Sequence, residues 1–235
     1  MKPTVLLTFL AISASALADD IATVGRDIVG KNIGAVVTVH LVVETNMSMF
    51  GQDRKQESKS EVQGTVIDAE GLTVIGLTAV EQDLTSRLQA MVGGDGDEDT
   101  AEFRKQLGVK NAIKSVKISY KEGAETPATI ALRDKNVGLA FLRPAEKLAQ
   151  PAPPISLASD AKVVLLDEIF VFNRMGVQGG YGPRIGIERI ASVIEKPRLS
   201  YVTDSTGNPG VPAFCRDGRL LGIVGMRKAG KVEAS

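Results

Sequence analysis

Few residues in this chain could do chemistry. His40 is the only histidine and Cys215 the only cysteine among 235 residues, and tryptophan is absent. A disulfide needs two cysteines and a Cys/His zinc site three or four ligands, so neither is expected. A base drawn from imidazole must be His40, which lies mid-run in AVVTVHLVVE (35–44). Cys215 needs a neighbouring base or positive field to become a thiolate. A Cys215–His40 dyad is the weaker reading beside a buried structural thiol and a cross-strand histidine. Ser205 and Thr206 carry hydroxyls to which no base can be assigned, and Asp134 and Asp204 form no recognisable carboxylate pair. The acidic run GGDGDED (93–99) invites a calcium reading. An EF-hand loop starting at Asp95 needs Gly at its sixth place and Glu at its twelfth, where Thr100 and Gln106 stand. It is therefore read as a solvated insertion, and no metal or cofactor is expected.

The elements that would position these residues are mostly strands. Short β-branched runs bounded by Gly, Asp and Pro fall at 35–44, 61–68, 72–76, 112–120, 126–133 and 139–143, then at 162–173, 184–194, 199–204 and 219–226. Between the two sets lies QPAPP (150–154), where three prolines fix φ and remove backbone donors, so that stretch is expected to be extended and unpaired. Strands on both sides of one linker point to an all-β chain of two antiparallel barrels or sandwiches. Helix is expected at 21–31 and on either side of the acidic loop, within an insertion at 80–110. The segment MSMF (47–50) reads as a loop.

With 28 Lys+Arg against 28 Asp+Glu, no basic surface supports nucleic-acid binding, and the basic tail 227–231 is too short to change that. Residues 1–18 carry a charged start at Lys2, an apolar run from Val5 to Leu17 and an A-x-A ending at Ala18, followed by Asp19. That is the pattern of a secretory signal peptide, too short to span a membrane, so an exported, periplasmic or extracellular protein is expected.

Three blocks in order resemble the HtrA/Deg-type branch of the trypsin-like serine peptidases. They are GTVIDAEGLTVIGLTAV (64–80), DKNVGLAFLR (134–143), and TDSTGNPGVPAF (203–214) followed by DGRLLGI (217–223). The resemblance implies two six-stranded-type β-barrels, an N-terminal one at 19–149 and a C-terminal one at 155–235 joined through 150–154. It also implies where a Ser/His/Asp triad would stand. The family's His position matches Thr78, its Asp position matches Gly138, and its Asn-Ser-Gly-Gly run is reduced to Val211. A serine hydroxyl needs an imidazole to take its proton and a carboxylate to orient that imidazole, and these positions supply neither. The expectation is a pseudoenzyme: an exported peptidase fold without catalysis, binding extended peptides or an envelope or secreted protein. The alternative is a serine-type endopeptidase with an unrecognised site. The loop 174–185 is expected beside the groove, and an assembly role would use the acidic insertion or 47–50 as its contact. The family normally adds a further strand and helix, often with a PDZ domain, after the region matching 219–226. The second barrel is thus expected either incompletely closed or completed by 229–234.

Overall fold

A computed structural model describes residues 11–49, 52–81, 108–121, 124–203 and 208–226. The acidic insertion, Ser205, Thr206, Asp204, Phe50 and the tail 227–235 lie outside them.

Helix α1 spans Ala11–Asn32 and strand β1 follows at Val36–Met49. β2 is Gln52–Val66, β3 Thr73–Gly76, β4 Gly108–Lys121, β5 Ala124–Asp134 and β6 Leu139–Pro144. These six close into an antiparallel barrel in the order β1-β2-β3-β6-β5-β4. Alternation explains the closure: Val37, Val39 and Leu41 of β1 point inward to meet Val66, Ile75, Ile118 and Leu142, while Thr38, His40 and Val42 take the other face. After the prolines come β7 (Glu168–Arg174), β8 (Pro183–Ile194), β9 (Ser200–Thr203), β10 (Pro212–Cys215) and β11 (Leu220–Ile223). They form a five-stranded half-barrel in the order β11-β10-β7-β8-β9. The all-β, two-barrel expectation holds, with the second barrel open among the described residues.

This second sheet is apolar on both faces. One face packs Phe170, Phe172 and Phe214 against Ile28 of α1 and Val36, and the other gathers Ile169, Val171, Ile190, Val211, Ala213 and Cys215. Because α1 supplies Ile21, Val24 and Ile28 to the first of these clusters, it anchors on the second unit before the chain enters the first.

Three expectations need correction. The opening helix is longer than 21–31, since nothing in the alanine-rich stretch before it breaks a helix; it runs through the expected cleavage point. Met47, Ser48 and Met49 are not loop but the end of β1, paired with Arg54, Asp53 and Gln52. The proline stretch is extended but not unpaired. Ala152, which keeps its N–H, donates to the Ala69 carbonyl at 3.1 Å, and Ile155 donates to Val66 at 2.9 Å.

Candidate functional site

Thr78 lies in a single 3-10 turn, Leu77–Ala79, that ends β3, and its side chain is exposed. The preceding Leu77 is buried and donates its N–H to the Gly138 carbonyl at 2.9 Å. Gly138 closes the turn into β6 at φ +69°, with its own N–H on the Asp134 carbonyl at 3.0 Å. That φ favours glycine, and space demands it too: a Cβ at 138 would overlap the Met226 carbonyl. The main chain at 225–226 therefore fills the place from which a carboxylate at 138 would project.

Val211 comes to the same seam from the second unit. The preceding Gly210, at φ +95°, approaches so closely that a Cβ there would sit 2.6 Å from the Ile75 α-carbon and 2.8 Å from the Gly76 nitrogen. Its carbonyl accepts the Thr65 hydroxyl at 2.7 Å, and its N–H donates to the Val224 carbonyl at 2.7 Å. Val224 in turn donates to Val211 at 2.9 Å. Val211 itself is wholly buried among Val163, Ile190 and Ala213. An oxyanion hole needs backbone N–H groups aimed at a reacting oxygen. In Pro209-Gly210-Val211-Pro212 the two prolines have none, and the N–H of Gly210 is spent on Val224. The fold thus brings the three positions to one seam and packs that seam with main chain.

No family model matches the chain, and no curated protein matches it. Among solved structures it is similar to the HtrA-type protease AlgW with decapeptide, at a TM-score of 0.53 and 15% sequence identity. The match covers 87% of this chain. The fold is trypsin-like. Only 59% of the solved chain is covered, so this chain spans well under two thirds of that neighbour's length.

On this trypsin-like frame Cys215 and His40 stand apart. Cys215 is in β10 of the half-barrel, buried and in the Ile169–Ala213 cluster, and burial with help from Asp217 pushes its thiol pKa up. A raised pKa is the opposite of what a nucleophilic thiol requires. His40 is on the outer face of the first barrel, directly opposite Glu61 on one side and Lys117 on the other. Its Nε2 is 3.2 Å from Ser119 Oγ and its Nδ1 is 3.5 Å from Glu61 Oε1. Sequence reasoning missed this Ser119–His40–Glu61 alignment because it exists only through the registers of β1 with β2 and β4. The spacing mimics a nucleophile, base and orienter, and a further ion pair flanks the ring. Glu125 Oε1 stands 4.0 Å from His40 Nε2, and the Lys117 ammonium is bound to Glu125 Oε2 at 2.7 Å.

The loop after β7 is shorter than 174–185, because 183–185 already belongs to β8. Its Tyr181 Oη donates to Glu61 Oε1 at 3.3 Å, which sets that side chain over the outside of β2. Arg174, at its root, ties the units together. Its Nε donates to the Val36 carbonyl at 2.6 Å and its Nη2 to the Ile33 carbonyl at 2.8 Å. Among the described residues no cluster of His, Cys, Asp and Glu could hold a metal ion, and no helix is long and apolar enough to cross a membrane.

Proposed function

We propose that this chain is an exported trypsin-like peptidase fold that has lost Ser/His/Asp catalysis and works as a peptide- or protein-binding or scaffold module. The observation that carries the reading is the seam at Gly138, where the main chain of Met226 stands in the space of the carboxylate and Thr78 stands for the imidazole. Loss of the nucleophile or base alone typically costs on the order of a millionfold in turnover, so replacement of all three leaves no peptidase rate to select for. What such a fold retains is a set of strand edges. β9 and β11 each have a partner on one side only among the described residues, and an open edge can take an extended peptide by strand addition. The neighbour AlgW, whose solved form holds a decapeptide, is consistent with that chemistry. Export is part of this reading on the strength of the signal-peptide pattern at 1–18, and in it the module acts in the periplasm or outside the cell.

A second reading, a serine-type endopeptidase with an unrecognised site, has one observation in its favour: the Ser119–His40–Glu61 alignment. Casein digestion by the purified protein separates the two. The proposal expects no fragments beyond the buffer control, whereas fragments that vanish in S119A and H40A would establish the second reading.

A further inference from the structure

Among the described residues, every exposed large apolar side chain except Leu132 belongs to the second unit. The densest group is a turn entering β7, where Val164, Leu165 and Leu166 are 67%, 57% and 67% exposed in succession. This turn is built, not loose. The Val164 N–H donates to the Asp167 carboxylate at 2.8 Å, Leu166 donates to the Ile190 carbonyl at 2.8 Å, and Ile190 returns to the Asp167 carbonyl at 3.0 Å. Leu166 is held at φ +71°, a left-handed conformation that a leucine avoids unless its surroundings impose it. Folding therefore spends strain to keep three aliphatic side chains in water, which is the signature of an interaction surface.

Beside the turn is a cavity of about 450 Å³ lined by Lys162, Val163, Leu166, Asp167, Arg216 and Asp217, among others. Projection and recess thus share residues. A two-fold axis passing near Leu166 would place the Val164–Leu165 projection of each copy at the recess of the other, the self-complementarity that an isologous contact requires. The charges agree. Glu168 and Asp217 are already paired with Arg189 and Arg219. Lys162 and Arg216 have no carboxylate partner among the described residues, and Asp167 has no cation partner. An apolar centre with a mixed, unpaired rim is protein-interface anatomy, whereas an anionic membrane would meet the acidic groups beside the tip unfavourably.

We propose that the Val164–Leu166 turn is the centre of a two-fold interface between two copies of this chain, with Lys162 and Arg216 of each copy facing Asp167 of the other. This inference does not depend on the loss of catalysis. Sedimentation velocity of the purified protein, V164D/L165D and K162E, up to about 0.1 mM, tests it. The expected result is a dimer whose dissociation constant rises at least tenfold in both variants, with unchanged circular dichroism because the altered side chains are solvent-exposed. A wild-type protein that stays monomeric would overturn it. So would a dimer unaffected by V164D/L165D, or a monomer that instead sediments with phosphatidylglycerol vesicles.

Discussion

Gly138 shows most clearly how main-chain packing restricts a single position. Substituting Gly138→Asp restores the expected side chain in name, yet the new Cβ meets the Met226 carbonyl and the backbone sits at positive φ. The expected outcome is a loss of about 2–4 kcal/mol in urea unfolding with no gain of peptidase activity, even combined with Thr78→His. Cys215 gives a second test at this scale. Because its thiol is largely buried and its pKa raised, it should react with a disulfide reagent at pH 8 at least about tenfold more slowly than in denaturant. Both residues could be named from the sequence, Gly138 by its place in DKNVGLAFLR and Cys215 by being single. What could not be read was the Met226 carbonyl against Gly138, since a contact across 88 positions leaves no mark in local pattern.

At the scale of elements, alternation of apolar residues located most strands but not their lengths. The hairpin of β1 and β2 runs on through QDRKQESKS, a polar stretch whose pairing is held by the ladder rather than by a buried face. β10 was legible only as the run holding Cys215, because PAFC is too short to show a period. The connection between the units depends on Arg174. Its planar fork reaches two main-chain carbonyls of 33–36 and a third at Tyr181, so Arg174→Ala should lower stability by about 2–3 kcal/mol. Arg174→Lys should recover little of it, because an ammonium cannot span the three acceptors, and chemical denaturation of both variants checks this. One turn and one mid-strand pair carry acid sensitivity. Side-chain and backbone hydrogen bonds from Arg219 lower the pKa of Asp217, and the Lys114 hydrogen bond lowers that of Glu44. A folded pKa below the unfolded one gives stability that is present above the unfolded value, about 4, and lost as pH falls through the folded value. Thermal midpoints should therefore fall as pH drops below about 4, less steeply in the Asp217→Asn/Glu44→Gln variant. Because both groups are exposed, the slope should also flatten in about 1 M salt.

For the molecule as a whole, the two-barrel architecture could be inferred from strand spacing and three motif blocks, and the trypsin-like neighbour agrees with it. The motif residues do structural work: Asp68 accepts the Leu72 N–H at 2.8 Å, Asp134 accepts that of Asn136 at 2.9 Å, and Asp217 that of Arg219 at 2.9 Å. Such turns keep a sequence recognisable whatever stands at the catalytic positions, which is why the fold is legible in the pattern. The surface alignment around His40 was hidden for the converse reason, since it depends on strand register alone. The central claim, that this fold forms no acyl-enzyme, is tested most directly by intact-mass spectrometry after incubation with a fluorophosphonate probe. The account predicts an unchanged mass. One stoichiometric adduct, on Ser119 or any other serine, would contradict it.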